Sequence, residues 1–225
     1  MATRVTRHGF KVIEGDGWIS RWADGHGRLD FQHDQLSPWI KRLHSGGIAV
    51  DVGACIGDTA LTLSKAVGES GMVIAIEPNP DAYECLKFNR DLLMPNVNVV
   101  FGAVGDENGT VKMHISNNAG ASHVSPDGDI PVSTLDNMLF DIGLIDFIKI
   151  DVEGYEPKVL RGGFNTLSKY KPDLLIEVNR TALARAGFFP EDIYYELGRH
   201  GYKWTITDER LNRSAPQYDL YCKYQ

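Results

Sequence analysis

From Ile48 onward, strand-length apolar runs alternate with segments of helical period, and no other feature restricts the possible folds as strongly. "GIAVDVG", "GMVIAIEP", "VNVVFGAVG", "LIDFIKID" and "PDLLIEVN" are apolar almost throughout, so both faces of each strand need cover. A parallel sheet with helices on both faces provides it. The segments between read as helices. "DTALTLSKAV" has Asp58 placed as its cap, and "NPDAYECLKFNRDLL" has Asn79 as cap with Pro80 at the first helical position. "STLDNMLF", "EPKVLRGGFNTLSKY" and "PEDIYYELGRHG" are the remaining helices. "DENGTVKMHIS" combines an Asn-Gly turn with an alternating strand, the pattern of a hairpin. "NNAGASHVSPDGD" has no period and reads as a long functional or mobile loop. "YKWTIT" and "YDLYCKY" close the chain as a second hairpin, which makes one late strand antiparallel.

Residues 1–46 follow a different pattern and read as a preface or lid on a main domain over 47–225. "FKVIEGDGWIS" suggests two short strands around a Gly-Asp-Gly turn. "SPWIKRLHSGG" suggests a short helix capped by Ser37, begun by Pro38 and stopped at Gly46-Gly47. "MATRVTRHGFKV" has basic residues with no apolar stretch behind them, so it is not read as a secretory signal. No apolar run approaches a membrane span. Cys55, Cys85 and Cys222 are far apart and form no CxxC pair, so a reduced, cytoplasmic setting is expected. A formal charge of −7 argues against a broad nucleic-acid-binding surface.

In a parallel sheet, ligands sit beyond the carboxyl ends of the strands. The first such turn is Asp51-Val-Gly53-Ala-Cys-Ile-Gly57. Its glycines are one residue further apart than in the GxGxxG that cradles a pyrophosphate. S-adenosylmethionine (SAM) has no pyrophosphate; it carries a sulfonium and an amino-acid zwitterion. Asp51 is placed to receive the ammonium, Gly53 to let the backbone approach the ligand, and Asp58 and Thr59 to meet the carboxylate at a helix start. Ala54, Ile56 and Gly57 complete the expected cofactor turn. Glu77 ends the second strand about 20 residues further on, where a carboxylate accepts both hydroxyls of a ribose. Pro78 follows it, and no arginine stands close by to suit an NADP phosphate. Gly102 and Ala103, small residues ending the third strand, leave room for adenine.

The fourth strand ends in Asp151, with Glu153 two residues on. These acids are candidates to take a proton from an acceptor hydroxyl or to position it, with Glu153 alternatively bracing the turn at Gly154. Glu177 and Asn179 share a face of the fifth strand. Glu177 is the third candidate catalytic acid, and Asp151, Glu177 and Asn179 together would suit Mg²⁺. Acceptor binding without metal is the favoured reading. The histidines show no zinc spacing. His33-Asp34 and His123 are placed to reach the cleft, although a surface or loop position is the plainer reading for each.

"VDVGACIGDTALTLSK", "AIEPNPDAYECLKFN", "AVGDENGTVKM", "STLDNML" and "DFIKIDVEGYEPKVLRGG", in that order, resemble FkbM-type SAM-dependent methyltransferases. The resemblance runs from about Ile48 to Asn179, and the Lys-Ile-Asp-Val-Glu-Gly block is its most specific part. It implies a class I methyltransferase fold: a Rossmann-like, seven-stranded, mostly parallel sheet with its last strand reversed. It also implies methylation of a hydroxyl on a sugar or other natural product. By position, Asp51, Gly53 and Gly57 would line the SAM site, Glu77 would hold the ribose, and Asp151 would lie beside the transferred methyl. Cys55 departs from the family, whose turn usually has asparagine there. The implied partner is a small-molecule or glycan acceptor. Competing readings are an NAD-dependent oxidoreductase, which lacks its pyrophosphate turn here; a catalytically silent SAM-binding protein; and an RNA ribose methyltransferase, disfavoured by the charge.

Overall fold

A computed structural model describes residues 2–116, 121–126, 128–208 and 210–225. The N-terminal region forms β1 (Thr3–Val5), β2 (Lys11–Ile13), α1 (Ile19–His26) and α2 (His33–Leu36). The alternating region begins with β3 (Ile48–Val52), α3 (Asp58–Val67), β4 (Met72–Glu77), α4 (Pro80–Leu93) and β5 (Val97–Phe101). Next come β6 (Ala103–Gly105), β7 (Gly109–His114), β8 (His123–Pro126), β9 (Ile130–Thr134) and α5 (Leu135–Met138). Then follow β10 (Phe147–Ile150), α6 (Glu156–Gly162), α7 (Phe164–Tyr170) and β11 (Asp173–Asn179). The chain closes with α8 (Arg180–Arg185), α9 (Pro190–Arg199), β12 (Tyr202–Ile206) and β13 (Gln217–Tyr224).

The central sheet has seven strands in the order β12-β13-β11-β10-β3-β4-β5. β5, β4, β3, β10 and β11 run parallel. β13, the last strand, is antiparallel to both its neighbours. This is the class I methyltransferase arrangement the resemblance implies. Successive side chains in each strand go to opposite faces, which divides the core in two. Val50, Val52, Ile74, Ile76, Ile148 and Ile150 pack with α6, α8 and α9 through Leu160, Leu183 and Leu197. Ala49, Val73, Ala75 and Phe147 pack on the other face with Leu63 of α3 and Leu86 of α4. Each fully buried aliphatic side chain contributes roughly 1.5–3 kcal/mol. Strand order reverses at β3, with β4 on one side and β10 on the other, so a crevice opens at their carboxyl ends.

Several elements differ from the sequence expectations. The third strand is two, because the chain leaves the main sheet at Gly102, whose φ of 147° suits glycine. β6 then enters a four-stranded sheet of order β6-β9-β7-β8. The Asn-Gly turn therefore joins strands that are not paired; β9 lies between them, and β7 pairs with β8 instead. Part of the expected long loop is strand β8, while residues 117–120 and 127 lie outside the described residues. The helix expected after "IDVEGY" is two, divided at Gly163, and α8 was not foreseen.

In the N-terminal region, "GWIS" begins α1 rather than a strand, and β1 is an added strand that pairs with β2. The short helix lies at His33–Leu36, with Ser37 ending it rather than starting it. Pro38 has no N–H to extend the ladder, so it serves as a stop. This region shares the core of the α3–α4 face through Phe10, Val12, Ile13, Leu29 and Leu36. Asn89 of α4 pins it, accepting from Lys11 N at 2.7 Å and donating to Lys11 O and Ile56 O at 2.9 Å. Among the described residues, no helix is long and apolar enough to cross a membrane.

Candidate active site

Two adjoining cavities open at the carboxyl ends of the strands. The inner one is bordered by the β3–α3 turn, the end of β4, Gly102-Ala103-Val104 and the start of the loop after β10. The outer one lies between the N-terminal region, the ends of β11 and β13, and the β12–β13 connection. Lys149, Asp151 and Glu153 border both.

Of the expected cofactor residues, Gly53, Asp58, Thr59, Glu77, Pro78, Ala103 and Asp151 line the inner cavity, as does Gly102. Asp51, Ala54, Ile56 and Gly57 do not; all four are buried. Asp51 therefore does not project into the cleft as expected. It is one residue short of the end of β3, and both its oxygens are buried without a hydrogen bond. Burial, opposed by nearby Lys149, pushes its pKa up to about 7. Asp58 is the first residue of α3 rather than its cap, and its Oδ2 is likewise buried and unpartnered. Burial raises its pKa to about 6.

Glu77 ties the turn to the next helix. Its Oε2 accepts from Cys55 N at 2.8 Å and its Oε1 from Asn79 N at 2.7 Å. Burial outweighs these bonds and pushes its pKa up to about 7. Asn79 caps α4 as expected, accepting from Asp81 N and Ala82 N. The glycines also meet packing demands. A Cβ on Gly53 would lie 1.8 Å from the Asp151 carbonyl oxygen, and one on Gly57 would lie 2.9 Å from Leu86 Cδ1.

The parallel register sets Lys149 beside Asp51 on one side and Leu175 on the other. Lys149 is buried, and its Nζ donates to Asp151 Oδ2 at 2.7 Å. Burial alone would lower its pKa, but Asp151 and Asp51 hold it above the ordinary lysine range. Lys149 was not singled out from the sequence, although a lone charge inside the apolar "FIKI" is a legible signal.

Glu153 has a left-handed backbone, φ 52°. Burial, with Asp151 and Glu156 nearby, pushes its pKa up to about 7. It does not brace the turn. Glu156 does so, its Oε1 accepting from Val152 N at 3.1 Å and Gly154 N at 3.2 Å. Glu177 lines the outer cavity with one oxygen bonded to Gln217 Nε2 at 2.5 Å and the other buried without a partner. Asp151, Glu153 and Glu177 each offer a carboxylate oxygen, all within 4.8 Å of one another. Asn179, expected beside them, has its Oδ1 engaged as the cap of α8, accepting from Thr181 N and Ala182 N. Asp34 borders the outer cavity, but His33 borders neither, and His123 stacks on His114 in the second sheet.

Comparisons with known proteins bear on the family and the fold. The Methyltransferase FkbM domain model matches residues 51–204. Hexuronic acid methyltransferase AglP of Haloferax volcanii is 27% identical over 188 residues, covering 81% of this chain and 73% of that protein. The crystal structure of methyltransferase FkbM from Methylobacillus flagellatus matches with a TM-score of 0.54 at 20% identity, over 79% of this chain; the match spans 44% of that longer chain. A SAM-dependent methyltransferase from Aquifex aeolicus matches with a TM-score of 0.53 at 17% identity, over 95% of this chain and 100% of that one.

Proposed function

The chain belongs to the FkbM methyltransferase family, and from that premise we propose that it transfers the methyl group of SAM to a hydroxyl oxygen of a sugar or sugar-bearing natural product. The observation that carries this reading is the shared wall: Lys149, Asp151 and Glu153 border both cavities, so donor and acceptor would meet at Asp151. The relative named for a hexuronic acid supports a sugar acceptor.

The inner cavity suits SAM. Glu77 would hold the ribose, each oxygen keeping a free lone pair beside its backbone partner. Pro78, Ala103 and Val104 offer an apolar slot for adenine. The unpartnered Oδ2 of Asp58 suits the ammonium, with Asp51 reinforcing the negative potential from behind the turn. The first N–H groups of α3 suit the carboxylate. When bound, SAM supplies an electrophilic methyl on sulfur.

The chain's own residues then orient the acceptor and manage its proton. Asp151 accepts the proton that leaves the hydroxyl as the oxygen is methylated. Lys149 fixes that carboxylate through Oδ2, leaving Oδ1 for the acceptor. Ile19 and Gln32 carry the N-terminal region to the rim of the cofactor cavity, and Gln32 accepts from Thr59 Oγ1 at 3.1 Å. That supports residues 1–46 as a cover over the 47–225 domain.

A labelled-methyl assay over sugars, glycosides, phenols and RNA tests the proposal. Transfer to a glycoside hydroxyl, lost in Asp151→Asn while S-adenosylhomocysteine still binds, is the expected result. Transfer to RNA alone, or full transfer by Asp151→Asn, would overturn it.

A further inference from the structure

We propose that the outer cavity recognises a protonated amine on its acceptor, held by Glu177 with Glu153 and Asp219. The inference rests on the methyltransferase reading and concerns which acceptor that site admits. Among the described residues, six carboxylates line this cavity against two cations. Both cations are already engaged. Lys149 donates to Asp151, and Arg210 is doubly bonded to Asp208. Glu153 has Arg185 3.7 Å away, a residue outside the lining.

The unbalanced charge is concentrated at one place. Glu177 and Asp219 face each other across the β11–β13 ladder. Like charges directly opposite in a sheet repel, and the cation that acts on both, Lys149, is itself bonded to Asp151. One Glu177 oxygen is buried and accepts no hydrogen bond. A carboxylate left in that state costs free energy until a donor reaches it. Burial, with Asp151 nearby and against the pull of Lys149, raises the pKa of Glu177 and Asp219, the latter to about 6.

An ammonium answers each of these features. It brings a positive charge and three N–H donors, enough for the orphaned oxygen and two neighbours. Divalent metal is the weaker occupant, because the Lys149 ammonium already sits on Asp151 and one Glu177 oxygen is taken by Gln217. A carboxylate-bearing sugar would meet mainly like charge, since both lining cations are already paired. Trp18, Phe31 and Trp39 on the opposite wall give apolar faces for a sugar ring. The amine would be an anchor and not the nucleophile. Kept protonated by the acids, it has no lone pair to take a methyl, so the hydroxyl oxygen takes it.

The test is calorimetry on protein saturated with S-adenosylhomocysteine, titrated separately with the methyl glycosides of glucosamine, glucose and glucuronic acid. The aminoglycoside is expected to bind at least about tenfold tighter than the neutral one, as for a charge-assisted hydrogen bond, with the uronide weakest. Glu177→Gln and Asp219→Asn should each reduce that preference while retaining S-adenosylhomocysteine. Equal affinities, a preference for the uronide, or no binding of the aminoglycoside would overturn the proposal. So would Mg²⁺ heat that vanishes in Glu177→Gln, which would give the acids to a metal. The first titration, with S-adenosylhomocysteine alone, separates outcomes: no heat there defeats the cofactor reading itself, whatever the sugars do.

Discussion

Cys55 has a left-handed backbone, φ 49°, at the centre of the cofactor turn, and donates its N–H to Glu77. Asparagine tolerates that conformation better than cysteine. Cys55→Asn should therefore raise stability by about 0.5–1 kcal/mol, read from urea unfolding; a loss would show that the buried thiol matters more than the backbone. Glu77→Ala removes a charged acceptor from the ribose position and should weaken SAM binding by about 2–3 kcal/mol. An unchanged dissociation constant in calorimetry would remove Glu77 from the cofactor site. Asp151, Glu153 and Glu177 were visible as candidates because acids at strand ends are conspicuous in apolar sequence. A packing reason for Gly53 was not visible. Its missing Cβ makes room for the Asp151 carbonyl, a neighbour distant in sequence. Gly53→Ala should consequently destabilise the fold by about 3 kcal/mol or more, and normal stability would contradict that close approach.

Helices and strands were legible in proportion to how much of their stability is local. α4 has its signals in sequence, and the structure keeps them: Asn79 caps, Pro80 begins. Asn79→Ala should cost about 1 kcal/mol in thermal or urea unfolding, and no change would mean that packing alone holds the helix start. α1 was not foreseen, and α2 lies before the segment where a helix was expected, because both are short and held by tertiary contacts. Asn89 binds the Lys11 backbone from 78 positions away, a pairing no local pattern encodes. The switch at Gly102 was hidden for a related reason. β5 and β6 are both apolar, and only the three-dimensional neighbours reveal that they join different sheets.

At the scale of the whole molecule, the site gathers negative charge at one end of the sheet. Asp51, Glu77, Glu153 and Glu156 are pushed up to about 7, and Asp58 and Asp219 to about 6. A carboxyl whose folded pKa is raised binds more protons folded than unfolded between the two values. Stability then falls as pH rises through that window. His123 and His200, with lowered pKa, work in the opposite direction but are fewer. The free protein should melt at a higher temperature near pH 5.5 than near pH 8, by roughly several degrees in calorimetry. A melting point that rises over that range would mean the acids are solvated. The proposed function depends on the inner cavity receiving SAM. Isothermal titration of the intact protein with S-adenosylhomocysteine is the most direct check. Saturable one-site heat, strongly reduced in Glu77→Ala and absent with NAD, is expected; no heat with S-adenosylhomocysteine, or equal heat with NAD, would contradict it.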